Sequence, residues 1–241
     1  MSFVDKYMSY YQDAKEVLSL FNNQYAIIPA FTATTKNQAY QLRHKIYCHE
    51  LGYEPKTNDE VERDAFDSIS TQIILHFKPL NMPVGCVRFV HGWSKRGQFV
   101  LPMEDVCGDS LDHAALQRIK DSGHHYAEIS RLGIDKAFRH MGRTREKSKL
   151  HSPVRSSCAL IALLLGVQAY AKISDTKYLL AIVERRLWNT MKKLGIPITP
   201  MGEGVDHRGK RFPIMIDRDE VEKIIPMLMW PLYNRPLSAL F

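Results

Sequence analysis

The sequence is poor in cysteine, has no long apolar run and contains no metal-ligand pattern, and each shortage removes a class of protein. The four cysteines among 241 residues (Cys48, Cys86, Cys107 and Cys158) include no C-x-x-C pair. That spacing argues against a disulfide framework and a structural zinc site, and favours a reducing compartment. The histidines, His44, His49, His124, His125, His140 and His151 among them, form no H-E-x-x-H pattern, so no metal site is expected. The longest apolar run, Cys158 to Val167, is about half the length that crosses a bilayer. The N-terminal stretch carries Asp5, Lys6, Asp13, Lys15 and Glu16 and has no signal-peptide core. A cytoplasmic protein is the expectation. Repeats and low-complexity tracts are absent as well.

What remains is the composition of a globular protein, 45% hydrophobic and 24% charged, with enough chain for one sizeable core. The organisation expected is an amphipathic helix within residues 1–23 and a single domain over 24–241. Basic residues outnumber acidic ones by 33 to 26, giving a net charge of +7. Seven of them, Lys136, Arg139, Arg143, Arg145, Lys147, Lys149 and Arg155, fall in one stretch opposed only by Glu146. Such a run reads as a solvated loop, a docking patch for an acidic carrier protein, a phosphate clamp or a nucleic-acid contact. It lacks the interleaved aromatics that stack bases, so nucleic acid is not expected as a partner.

Val4, Met8, Tyr11, Leu18 and Phe21 follow helical spacing and would form one apolar face, packed on the core or touching a membrane surface. A strand is expected at 25–31, then a helix capped by Thr34 or Thr35 and stopped by Gly52. The acid-rich stretch 52–70 has no periodicity and reads as a long functional loop. A hairpin follows at 72–77 and 84–91, then a short helix near 111–120 and a strand over 126–134. Ser152-Pro153 opens a long helix. Beyond it come a strand at 178–183, a helix at 184–194, strands at 198–201 and 212–216, and a last helix from about 217. The order predicts an α/β (α+β) domain, a mixed sheet with helices on both faces.

Four constellations carry potential chemistry: Arg43-x-x-x-Tyr47, Asp64-x-x-Asp67, Gly85-x-x-Arg88 and Glu128-Ile129-Ser130-Arg131. Strand alternation would put Glu128 and Ser130 on one face, and Ile129 and Arg131 on the other. Charges embedded in apolar strands must find partners, so the arginines and acids are expected to pair, as structural ion pairs or as a site.

Taken in order, this series resembles the acyl-homoserine lactone synthases. Tyr47-Cys48-x-Glu50-x-Gly52-Tyr53 and Ala127-Glu128-Ile129-Ser130-Arg131-Leu132, followed by Phe138-Arg139, more closely resemble the N-acyl amino acid synthases. That group includes the acyltransferases of the PEP-CTERM/exosortase system. The resemblance covers roughly residues 25–184. It implies a GNAT-like fold with a mostly antiparallel central sheet, no tightly bound cofactor, and an acyl group delivered on acyl carrier protein or coenzyme A to a small-molecule amine. By the same resemblance Arg43, Asp64, Asp67, Arg88, Glu128 and Arg131 line the active site, with Glu128 as general base and backbone N–H groups of its strand as oxyanion donors. Tyr47 and Ser130 join the substrate-binding set, and Arg88 or Arg131 would hold an acceptor carboxylate. The segment Arg139-His140-Met141-Gly142-Arg143 has one glycine where coenzyme A enzymes carry a glycine-rich pyrophosphate loop. That departure favours a carrier protein docking on Arg139, Arg143, Arg145, Lys147 and Lys149. The tryptophan of the lactone synthases is replaced by Gly52-Tyr53, which favours amide over lactone synthesis. The alternatives are a lactone signal synthase, an acetyl-CoA-dependent N-acetyltransferase, and a basic nucleic-acid-binding module.

Overall fold

A computed structural model describes residues 23–94, 97–139 and 158–224. The expected N-terminal amphipathic helix, the Ser152-Pro153 helix start and the basic residues Arg143, Arg145, Lys147, Lys149 and Arg155 lie outside the described residues.

Strand β1 (Tyr25–Ala30) leads into helix α1 (Ala33–Arg43), which continues as a π-helical stretch over His44–Glu50. The helix is capped by Thr32, two or three residues earlier than the Thr34 or Thr35 expected. Thr32 and Thr35 exchange backbone–hydroxyl bonds of 3.2 Å in each direction, so two otherwise orphaned N–H groups are satisfied at once. Thr32→Ala is expected to cost about 1 kcal/mol in a denaturant titration. Gly52 ends the helix in the left-handed region, φ +64°, where a side chain would be strained.

The long acidic segment then runs to a 3-10 turn at Ala65–Ile69 and the hairpin of β2 (Ser70–Phe77) and β3 (Met82–His91). Two short strands, β4 (Trp93–Ser94) and β5 (Gly97–Gln98), precede helices α2 (Pro102–Cys107) and α3 (His113–Asp121). Strand β6 (His125–Ile134), helix α4 (Cys158–Ile173) and strand β7 (Thr176–Glu184) follow. The described chain closes with α5 (Arg185–Lys193), β8 (Thr199–Pro200), β9 (Val205–Asp206), β10 (Lys210–Asp217) and α6 (Arg218–Ile224). Helix α2 and strand β9 gave no separate sequence signal.

The main sheet runs β1-β2-β3-β6-β7-β10-β8, with β9 also on β10; only the β6–β7 pair is parallel. Alternation along the strands builds two cores. On one face Val90, Tyr126 and Leu180 pack with Met103, Leu116 and Ile119 of α2 and α3. On the other, Val87, Phe89, Ala127 and Leu179 pack with α4, with Trp188 of α5 and with Val221 of α6. These are called the α1 face, which also carries α1, and the α4 face.

Two irregularities in β6 position the site. Its parallel register with β7 runs from His125↔Thr176 to Ile129↔Ala181 and stops there, although both strands continue. The sheet therefore parts between β6 and β7 in its middle. On the other side the register with β3 shifts between Cys86↔Gly133 and Arg88↔Ser130, so Arg131 and Leu132 oppose Val87 alone. Arg131 sits in the left-handed region, φ +53°, unusual for a bulky residue inside a strand.

Candidate active site

The bulge corrects the expected alternation. Arg131 reaches Glu62 and Asp64, and Arg88, which reaches Asp64, also holds Ser130, so Ser130 and Arg131 address one cluster. Leu132 and Ile134 then pack into the α4-face core while Gly133 lies under α1, where an added Cβ would come 3.1 Å from Ile46. A one-residue bulge inverts every side chain beyond it. This one aims a second polar residue at the site without exposing the core residues that follow.

The cluster is a closed ion network. Arg43, fully buried on α1, donates Nε to Glu62 at 2.6 Å and Nη1 to Asp67 at 2.6 Å, with Gln72 at 3.2 Å. Arg88 donates Nε to Ser130 Oγ at 3.0 Å and Nη1 to Asp64 at 2.5 Å. Arg131 meets Glu62, Glu54 and Asp64 at 3.1 to 3.2 Å, and Arg208 meets Glu54 at 2.6 Å. Four arginines face four carboxylates. Backbone contacts fix the acids: Glu62 N–H bonds Tyr40 O at 3.1 Å, and Asp64 N–H bonds Asp67 Oδ2 at 2.7 Å. Burial pushes the carboxyls of Glu62 and Asp67 upward, but the Arg43 hydrogen bonds and charge outweigh it and leave both below the usual range. They stay ionised at neutral pH.

Glu128 stands outside this balance. It is 2% exposed and accepts the Met103 backbone N–H at 2.7 Å. Burial raises its carboxyl to about 8, partly opposed by that hydrogen bond and by Arg88 and Arg131. The Tyr47 hydroxyl, also on the cavity wall, donates to Leu132 O at 3.0 Å, and burial raises its pKa above the ordinary phenol value.

Glu128, Ser130, Arg131 and Tyr47 border a cavity of 660 Å³ that passes through the parting of β6 and β7. Its α4-face half is mostly apolar, walled by Ile129, Leu132, Leu164, Val167, Ala181 and Leu187, with Gln168 of α4 and Arg186 and Thr190 of α5 also on its lining. Its α1-face half is polar, with Glu128, Ser130, Arg131 and, from the β9–β10 hairpin, His207, Arg208 and Arg211.

The sequence and the fold are similar to those of known proteins. The Acetyltransferase (GNAT) domain family matches residues 42–145. An acyl-homoserine-lactone synthase of Aeromonas hydrophila is 24% identical over 167 residues, 69% of this chain and 71% of its own length. The synthase of Aeromonas salmonicida is 23% identical over the same shares. Among solved structures, the CoA-dependent acyl-homoserine lactone synthase BjaI, with SAM and isopentyl-CoA, superposes with a TM-score of 0.59 at 15% identity, covering 88% of this chain and 90% of its own. FeeM, an N-acyl amino acid synthase from uncultured soil microbes, gives 0.56 at 14%, covering 86% and 97%. The fold is the GNAT fold. The chain is an acyltransferase similar in sequence to the acyl-homoserine-lactone synthases.

In this acyltransferase the sequence-derived site residues divide into two shells. Tyr47, Glu128, Ser130 and Arg131 border the cavity. Arg43, Asp67 and Arg88 are buried behind its wall, and Asp64 links Arg88 to Arg131. Arg139, expected on a docking surface, borders the cavity too; it pairs with Glu50 and donates Nε to Ile134 O at 2.7 Å. Glu54, Glu62 and Gln72 complete the network, and Tyr53, Arg208 and Arg211 the polar half. The sequence signals for Glu54 and Glu62 were their place in the acidic loop; Arg208 and Arg211 come from a hairpin with no motif. Among the described residues no cluster of His, Cys, Asp and Glu has the arrangement of a metal site, and no helix is long and apolar enough to cross a membrane.

Proposed function

We propose that the protein joins a fatty acyl group to the amine of an amino acid or similar small molecule, with an acyl carrier protein thioester as donor. The observation that carries this reading is the union of a buried carboxyl with its pKa raised to about 8 and a cavity mostly apolar on one face and mostly polar on the other. The acyl chain occupies the α4-face half, walled by α4 and β7. The thioester carbonyl lies at the parting of the strands, beside Glu128. A protonated amine cannot attack, and Glu128 takes one proton from it, directly or through water. The nitrogen then adds to the carbonyl carbon, and the oxyanion faces the edge of β6 beyond Ile129, where pairing with β7 has ended. The carbon–sulfur bond breaks, and the second nitrogen proton leaves with the departing thiol. The products are an amide and a free thiol.

The preference for carrier protein over coenzyme A rests on the single glycine in residues 139–143 and the basic run that follows it. A cytoplasmic setting and the link to PEP-CTERM/exosortase acyltransferases rest on sequence alone. A second reading is favoured by the Aeromonas relatives: lactone signal synthesis from S-adenosylmethionine. Incubating the protein with dodecanoyl carrier protein or dodecanoyl-CoA, together with mixed amino acids or S-adenosylmethionine, separates these by mass spectrometry. Linear N-acyl amino acids formed faster from the carrier protein support the proposal. A lactone with methylthioadenosine supports the second reading, and no amide of either kind would sink both.

A further inference from the structure

The acceptor's carboxylate needs a cationic partner, and the arginines first suggested for it are engaged. Arg88 is 1% exposed and held by Asp64, Asp67 and Ser130. Arg131 is surrounded by Glu54, Glu62 and Asp64. The β9–β10 hairpin offers a different pair on the same polar half of the cavity. The guanidinium groups of Arg208 and Arg211 both lie over the Tyr53 ring, at 5.8 and 6.0 Å from its centre. One aromatic ring thus contacts both planar donors.

Their present partners leave donors available. Arg208 uses Nη2 on Glu54, which it shares with Arg131. Arg211 gives Nε to the His207 carbonyl at 2.7 Å and Nη2 to Glu184, a half-exposed carboxylate whose pairing is weak in water. Five arginines border the cavity, and the only acids bordering it among the described residues are Glu128 and Glu184. His207, also on the wall, has its pKa lowered by burial and then by Arg208 and Arg211, so it stays neutral among them. Arg208 itself occupies the left-handed region, φ +56°, at the tip of the hairpin. A loop residue held there by Glu54 and Tyr53 is oriented toward the cavity before ligand arrives.

We infer that Arg208 and Arg211 form the recognition site for the acceptor's carboxylate, making the acceptor an amine that carries an acid group rather than a simple alkylamine. A carboxylate accepts two parallel N–H donors well, and replacing the loose Glu184 contact costs little. The inference rests on the proposed acyl transfer for its substrate class, but its test does not require turnover. N-dodecanoyl-phenylalanine and N-dodecanoyl-phenethylamine differ only by the carboxylate and are titrated by calorimetry into the full chain and its Arg208→Gln and Arg211→Gln variants. The full chain binds the acid at least about tenfold tighter, as one charge-assisted pair provides. Each variant loses most of that preference, and Arg211→Lys regains part of it. Equal affinity for the two compounds in the full chain, or an unchanged preference in both glutamine variants, overturns the inference. So does a loss confined to dodecanoyl-CoA binding, which would assign the arginines to the donor's phosphates. Discrimination without any amide synthesis leaves the carboxylate site standing and removes only the enzymatic reading; synthesis without discrimination does the reverse.

Discussion

Glu128→Gln lowers kcat by about a hundredfold to ten-thousandfold, the range a positioned general base supplies. The substitution keeps the shape of the side chain and an oxygen to accept the Met103 N–H, now at 2.7 Å, so donor binding is unchanged. Two pH effects accompany the loss. In the native protein kcat/KM rises with pH through a midpoint near 8, where Glu128 ionises, and this limb disappears in the glutamine variant. Stability moves the opposite way. The folded state favours the protonated carboxyl, so its contribution is fully present below the unfolded pKa and is lost as pH rises through about 8. Thermal melts therefore show the variant more stable than the native protein at pH 9 and no different at pH 4. A catalytic role and a buried, raised carboxyl give this combination; a glutamate that only braces α2 would show the stability effect without the rate effect.

Arg43→Met is the second large effect, and it falls on folding. Arg43 is fully buried and bonds Glu62 and Asp67. Removing it leaves two buried carboxylates without their main partner, which costs about 3–5 kcal/mol in urea denaturation at pH 7. Both acids are held below their usual range by Arg43. Their contribution to native stability is present above the unfolded carboxyl pKa and lost as pH falls through the depressed values. The gap between native and variant protein therefore narrows as pH falls towards 3, because protonated acids no longer need the arginine. A gap that stayed constant with pH would mean that lost packing, rather than unpaired charge, is the cause.

The strands and most helices were legible because their apolar residues recur with the right period. The strand around Glu128 is an example, while Tyr178 to Val183 was legible as an unbroken apolar run. Thr32 was passed over as cap because Thr34 and Thr35 are equally good capping residues by type, and only geometry chooses among threonines. The side-chain direction of Arg131 is not legible in the sequence for a deeper reason. A bulge is set by pairing with a neighbouring strand, here β3, and strict alternation within β6 carries no trace of it. The site was legible as charged residues in apolar strands, which require partners. Which partner each would take was not: Glu62 lies in a loop without periodicity, and Arg208 and Arg211 meet Tyr53 across more than 150 residues of chain. Such contacts belong to the fold, and no short window contains them.

On the proposed function, an acyl thioester meets its acceptor where β6 and β7 part. A crystal structure with a non-hydrolysable dodecanoyl-pantetheine thioether tests it most directly. The expected result is the alkyl chain in the α4-face half of the cavity, against Leu164, Val167 and Ala181, with the carbonyl-equivalent carbon beside Glu128 and the β6 edge. An analogue bound elsewhere, with the parting of the strands closed by protein side chains, would contradict it.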